Sequence, residues 1–351
     1  MQWLLLLLVA ALAGCAAPHP HPQPSGGDAR ALIARYIPAS VPDREAWAAD
    51  IYTPMAVLEI PVTPENVCAI VAVTEQESGF HVDPAIPNLP AIARAEMERR
   101  REKLGIPAVV LDAALSIEST NGRTYRERLD HAKTERELSE IYEDFIGRVP
   151  FGRTLLESRN PVRTGGPMQV NVDFARAQAK EKRYPYAVVE SIRDEVFARR
   201  GGMYFGIAHL LDYPVSYERD IFRFADYNAG QYASRNAALQ HAIATLSRRK
   251  LSLDGDLMRE TEAAADSLAK ELDLSPSEIH RDLALERRPE LESSPLYRRV
   301  FAMADEREGA RLPRAILPQI RLHTPKTTRR LTTAWFAQRV AARQKRCLGQ
   351  R

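Results

Sequence analysis

The sequence predicts a mainly α-helical protein, and three observations carry that expectation. From about Ala29 onward apolar residues recur at helical spacing, no stretch sustains the period-two alternation of a half-buried strand, and no Asn-Gly turn joins two apolar runs. The 351 residues suffice for one large domain or two modest ones. With 45% hydrophobic and 27% charged residues the composition is that of an ordinary globular chain. A formal charge of +3 is compatible with an acidic polymer as partner and far too small to indicate nucleic acid. Beyond the N-terminus no apolar run approaches the roughly 20 residues that span a bilayer.

The elements follow in chain order. Leu4 to Leu12 form an unbroken apolar run, and Leu12-Ala13-Gly14-Cys15 resembles a bacterial lipobox. That resemblance implies a signal peptide over residues 1–14, cut before Cys15, whose thiol then carries lipid. An ordinary secretory leader with an incidental cysteine is the alternative. Met1-Gln2-Trp3 lacks the usual lysine or arginine. Ala16 stands where an aspartate would resemble an inner-membrane retention signal, which favours the periplasmic face of the outer membrane. Acyl chains contribute about 0.8 kcal/mol per buried methylene and would hold the chain there. Residues 16–28 alternate proline with polar residues and read as an extended tether, with His19 and His21 as solvated parts of it rather than metal ligands. A lipidated linker is expected over 15–40, a main domain over 41–250 and a helical extension over 251–351.

Thr63 followed by Pro64 opens a helix, the first as cap and the second at a position where its missing N–H costs nothing. Its apolar stripe runs through Val67, Ile70, Val71 and Thr74 to Glu77 and Ser78, and Gly79 stops it. Residues 91–147 are charge-rich and helical in pattern. Further helices are expected from Gly201 to Leu211, over 217–228 after a break at Pro214, and over 234–249. In the extension, Leu331, Trp335, Phe336 and Val340 form one stripe ringed by Arg329, Arg330, Arg339, Arg343, Lys345 and Arg346. Packing against the main domain is the first reading of that stripe, and contact with anionic lipid or cell-wall polymer is the second. Cys68 and Cys347 are either two free thiols or, in an oxidising compartment, a bridge from the C-terminal tail to the helix at Pro64.

Three short segments stand out: Glu77-Ser78-Gly79-Phe80, Gly166-Pro167-Met168-Gln169-Val170 and Ala225-Asp226-Tyr227-Asn228-Ala229-Gly230. Together they resemble the soluble lytic transglycosylase and goose-type lysozyme superfamily. There a Glu-Ser pair, a Gly-Leu-Met-Gln type segment and an Ala-Tyr-Asn-Ala-Gly type segment line one cleft. Each match alone is weak, and the three in order on a helical background are specific. Gly202 to Leu211 also looks like the helix that lies between the second and third segments. The resemblance covers roughly residues 50 to 245. It implies a lysozyme-like helical domain acting on peptidoglycan, with a helical insertion over 88–150 that walls or lids the cleft. It further implies Glu77 as catalytic acid and Ser78, Met168, Gln169, Tyr227 and Asn228 as substrate-side residues. Pro167 departs from the usual bulky apolar residue there, which puts the shape of that loop in question.

The residues support this chemistry independently. Cleaving a glycosidic bond needs a carboxylic acid still protonated near neutral pH. Glu77 continues an apolar helix face, where desolvation raises a carboxyl pKa, and it lies in the last turn, where the helix dipole pushes the same way. Glu75, two positions earlier, falls on the opposite and more solvated face. Gln169 and Asn228 carry amides that both donate and accept, as sugar recognition requires. Hydrolases of either stereochemistry use a second carboxylate. None of the three segments supplies one, and Asp226 occupies a position that is commonly alanine in the superfamily. A lone acid fits a lytic transglycosylase that leaves 1,6-anhydro-muramoyl ends. A goose-type muramidase and a non-catalytic glycan-binding lipoprotein are the alternatives. None of these readings calls for a metal or another cofactor.

Overall fold

The computed structural model describes residues 25–322 and 331–349. The expected leader, Cys15, the tether as far as residue 24, and Arg329 and Arg330 of the expected basic ring lie outside the described residues. The protein is mainly helical, as the periodicity predicts.

Ser25 caps α1 (Gly26–Tyr36), which buries Ile33, and α2 (Arg44–Val57) buries Trp47, Ile51 and Met55. The expected flexible linker over 15–40 is therefore corrected, because residues 26–36 are a packed helix. In α3 (Pro64–Glu77) the Thr63 hydroxyl accepts a hydrogen bond from Asn66 N at 3.2 Å, and Pro64 sits in the first turn. Every residue from Val67 to Thr74 is buried. The expected stripe is thus one face of a helix enclosed on all sides, the pattern of a central core helix.

The charge-rich stretch expected as helix over 91–147 is four helices: α4 (Leu89–Lys103), α5 (Ala108–Leu115), α6 (Tyr125–His131) and α7 (Glu135–Arg148). Thr124 with Glu127 and Thr134 with Glu137 form reciprocal capping boxes that start the last two. The short α8 (Gly152–Leu156) leads to a two-residue antiparallel pair, β1 (Thr164–Gly165) with β2 (Val170–Asn171). Then come α9 (Val172–Glu181), α10 (Ile192–Phe197), α11 (Arg199–Leu211), α12 (Ile221–Ala229) and α13 (Ala233–Ser247). The C-terminal third adds α14 (Glu260–Asp266), α15 (Ala269–Leu272), α16 (Pro276–Leu283) and α17 (Pro295–Glu308). A second antiparallel pair, β3 (Arg321–Leu322) with β4 (Leu331–Thr332), precedes α18 (Thr333–Leu348).

Two hydrophobic cores divide the chain differently from the expected boundary at residue 250. The first joins α1 to α3 with α11, α12 and, from the far end of the sequence, Phe336, Ala337, Val340 and Cys347 of α18. The second begins inside α13, at Ala238 and Leu239, and runs through Ala304 of α17. Helix α13 belongs to the second core and packs on α12 of the first, while α18 returns to the first. Cys68 and Cys347 are disulfide-bonded, with Cα atoms 5.6 Å apart across a sequence separation of 279. On the same seam Glu75 faces Arg343 at 3.3 Å and Arg346 at 3.5 Å. Its face of α3 is occupied by α18 rather than solvated. Among the described residues no helix is long and apolar enough to cross a membrane.

Candidate functional site

Glu77 is the last residue of α3 and is half-buried. Gly79 follows in the left-handed conformation (φ 59°), its N–H returning to Glu75 O at 3.2 Å, which is how a helix ends at glycine. Phe80 also has positive φ (64°), a costly state for a bulky residue. It is held there by edge-on packing against Trp47, with ring centroids 5.2 Å apart. The turn after Glu77 is thus clamped by the first core.

The second segment is the β1–β2 turn. Its close fit against α10 and α11 explains the local glycines. A side chain at Gly166 (φ 73°) would press into the Val196 carbonyl, and a methyl at Gly202 would lie 2.5 Å from Pro167 Cδ. At Gly206, one turn further along α11, a methyl would lie 2.6 Å from Met168 Cβ. Pro167 is therefore accommodated by a glycine on the facing helix, and the loop keeps a tight turn, Gln169 N reaching Gly166 O at 3.1 Å. Helix α11 starts at Arg199, earlier than expected. Gly201 and Gly202 lie inside it because close contact, not helix termination, is what they provide.

The third segment ends α12 at Gly230, whose φ of 110° is open only to glycine. Tyr227 is buried, and its hydroxyl donates to Met168 O at 2.6 Å, tying the third segment to the second. Burial, with the Glu77 charge adding to it, pushes the Tyr227 phenol well above its ordinary pKa, so it stays protonated as a donor. Asn228 is exposed, and its side-chain carbonyl accepts a hydrogen bond from Thr333 Oγ1 at 2.9 Å.

Glu77, Gln169, Tyr227 and Asn228 line one cleft of about 1740 Å³. Two of the expected substrate-side residues do not. Met168 is fully buried beneath it, and the Ser78 hydroxyl donates back to Thr74 O at 3.2 Å. None of residues 88–150 lines the cleft, so the expectation that the insertion walls or lids it is corrected. The opposite wall comes from the C-terminal third instead: the 252–259 segment, Glu286 and Arg287, and Gln319 to Arg321, with Trp335 of α18. Gln319 N to Leu253 O (2.7 Å) and Leu257 N to Glu286 Oε2 (3.2 Å) lock these segments together.

His209 also lines the cleft and was not singled out by the sequence. Its Nε2 donates to Tyr227 O (3.2 Å), and its ring lies between Phe174 and Tyr227, at 4.6 and 5.0 Å. Burial lowers its pKa to about 4, so it is neutral near pH 7. Only its place one helical turn past Gly206, on the face presented to the three segments, could have flagged it.

Asp226 has a different function from its neighbours. It is fully buried and accepts hydrogen bonds from Tyr217 OH (2.7 Å), Tyr213 OH (3.2 Å), Ser234 N (2.7 Å) and Tyr232 N (3.1 Å). Its carboxylate therefore fastens the end of α12 to the start of α13. Besides Glu77, four carboxylates among the described residues line the cleft: Asp254 accepts from Gln240 Nε2 at 3.0 Å, Asp256 from Met258 N at 3.0 Å and Glu286 from Leu257 N at 3.2 Å, while Asp173 is exposed and faces Arg163 at 3.7 Å. Among the described residues no group of three or more histidine, cysteine, aspartate or glutamate side chains could hold a metal ion.

The family described as "Protein of unknown function (DUF1615)" matches residues 40–350, nearly the whole chain. The chain belongs to that family. It is similar to "Uncharacterized protein YaiW" of Escherichia coli (strain K12), with 48% identity over 355 residues covering 98% of this chain and 97% of that protein. No solved structure matches. The family match runs through the insertion, both cores and α18, so both walls of the cleft belong to the family unit.

Proposed function

We propose that the chain is a peptidoglycan lytic transglycosylase with a lysozyme-like active site, carried on a cell-envelope lipoprotein anchored at Cys15. The observation that carries this reading is the convergence of the three segments. Residues as distant as Glu77, Gln169 and Tyr227 line one cleft, and the Tyr227–Met168 hydrogen bond fixes two of the segments against each other. A groove of this size accepts several sugar rings of a polymer.

In this mechanism Glu77 gives its proton to the glycosidic oxygen between N-acetylmuramic acid and N-acetylglucosamine, and the C1–O bond breaks. The Glu77 carboxylate then takes the proton of the muramoyl 6-hydroxyl, whose oxygen bonds to C1. The product is a 1,6-anhydro end, the acid is regenerated and no water is consumed. The amides of Gln169 and Asn228 hold N-acetyl and hydroxyl groups. The exposed carboxylate of Asp173 on the cleft favours the second reading, a muramidase in which it activates water.

Two measurements separate these readings. Glu77→Gln keeps the side-chain shape and removes the acid, so it should abolish solubilisation of purified sacculi with the helical spectrum unchanged. Digestion at the parental rate would refute the reading, and a parent that digests nothing would leave a binding protein. Mass spectrometry of the released fragments then distinguishes anhydro ends from the reducing ends of a hydrolase.

A further inference from the structure

The insertion and the α8 segment that follows it carry an apolar surface that nothing among the described residues covers. Of the eleven exposed large hydrophobic residues among the described residues, eight fall between Leu104 and Leu155. Chance scatter would spread them, so the concentration marks a site. Leu104 and Val109 are each 70% exposed, Val110 52% and Phe151 81%.

Helix α5 is inverted relative to a normal surface helix. None of its residues is buried. Val109, Val110 and Ala113 face outward, while Asp112, the one charged residue, pairs with Arg126 of α6 at 2.8 Å. An outward apolar face on a projecting segment has the form of an interfacial helix. The Arg148 side chain reaches the Glu118 carbonyl, which brings the turn carrying Phe151 to the far end of the same strip.

The charge around the strip identifies the partner. Lys103, Arg148 and Arg153 border it with no ion pair among the described residues. Asp112 is paired with Arg126, whereas Arg101 lies nearer Glu98 (2.6 Å) than Glu102 (3.6 Å), so Glu102 and Glu118 are the acidic neighbours set against these three cations. An apolar knob with a cationic rim matches an anionic lipid surface. Chain length agrees, on the reading that Cys15 is acylated. The ten residues from there to Ser25 reach at most about 35 Å even when fully extended. A bilayer is then always within range of the folded body.

We propose that the strip centred on Val109, Val110 and Phe151 docks on a phospholipid surface containing anionic lipid, setting the orientation of the body on the membrane. The test uses the chain from Ala16 onward, which lacks any acyl group and keeps the whole core, since the buried residues begin at Ala29. It is floated with phosphatidylethanolamine–phosphatidylglycerol vesicles. The parent should co-float, less so in high salt, and Val109→Ser/Val110→Ser or Phe151→Ser should weaken binding about tenfold with the helical spectrum unchanged. A parent that does not float, or variants that float equally well, would overturn the proposal. So would a concentration-dependent dimer in light scattering that these substitutions abolish without vesicle binding, because the occupant would then be a second copy.

Discussion

Gly206→Ala tests how the fold holds the site. An alanine in a helix interior is worth about 1 kcal/mol more than a glycine, so propensity alone predicts a more stable protein. The structure predicts the reverse. The added methyl would press on Met168 Sδ, which a rotamer change could move, and would also lie 2.6 Å from Met168 Cβ, which is fixed to the main chain. Met168 cannot retreat easily. Its carbonyl is held by Tyr227 at 2.6 Å, and the turn before it is fixed by Gly166 against Val196. Overpacking of this kind costs about 1–3 kcal/mol. With the main chain constrained the upper part of that range applies, and subtracting the propensity gain leaves a net loss of about 2 kcal/mol. A matched control is Gly27→Ala in α1, where the new methyl meets only Ser25 Oγ at 3.9 Å. That variant should be neutral or slightly more stable. The assay is urea unfolding followed by circular dichroism, with sacculus solubilisation measured on the same samples. Because Gln169 follows Met168 directly, activity of the folded Gly206→Ala protein should fall as well. A Gly206→Ala protein as stable and as active as the parent would refute the packing argument.

Other consequences follow from the seam and from the buried carboxylate. Cys68→Ser should cost about 4 kcal/mol, since the bridge closes a loop across nearly the whole chain, and Cys347→Ser should lower the urea midpoint equally with no further loss in the double variant. Burial raises the Asp226 pKa from 3.8 to about 6, so the folded chain binds that proton more tightly than the unfolded one. The destabilisation is therefore present at pH 7 and relieved as pH falls from about 6 towards 3.8. The stability difference between the parent and Asp226→Asn should shift by about 2.4 kcal/mol in the parent's favour between pH 7 and pH 4. Comparing the two proteins cancels the opposite contribution of His209, whose pKa burial lowers to about 4. Parallel stability–pH curves would exclude this account of Asp226.

Local signals made the helices legible. Thr63-Pro64 and Gly79 mark the start and end of α3 within two residues, because caps act through the nearest backbone groups. Where a residue's contribution is made at long range, the sequence misleads. Gly201 and Gly202 look like a helix boundary and are in fact contact surfaces, Gly201 for the Glu195 carbonyl and Gly202 for Pro167. Met168 resembles a cleft residue by motif, yet the same close approach sinks it under the floor. Helical phase separated Glu75 from Glu77 correctly, but could not show that the face bearing Glu75 is covered by a helix from the other end of the chain. The far wall of the cleft was not legible, because it comes from loops that carry no periodicity.

The C-terminal third therefore cannot be regarded as an appendage to a finished domain. Helix α18 supplies Phe336 and Val340 to the first core, a disulfide to α3, a hydroxyl to Asn228 and an indole to the cleft. The second core is tied on as well: Asp226 of α12 holds the start of α13 through Ser234 N and Tyr232 N, and buried Arg235 in α13 donates to the carbonyls of Glu286 (2.6 Å) and Arg288 (2.8 Å). Cutting the chain after α13 would remove α18 from α3, expose the central helix and leave that arginine buried without its acceptors, an expensive state for a charge. Yet the superfamily resemblance ends near residue 245. The three segments account for one wall of the cleft. The lining from Ser252 to Arg321, with Trp335 and Phe336, is built by the part of the chain that the resemblance does not reach.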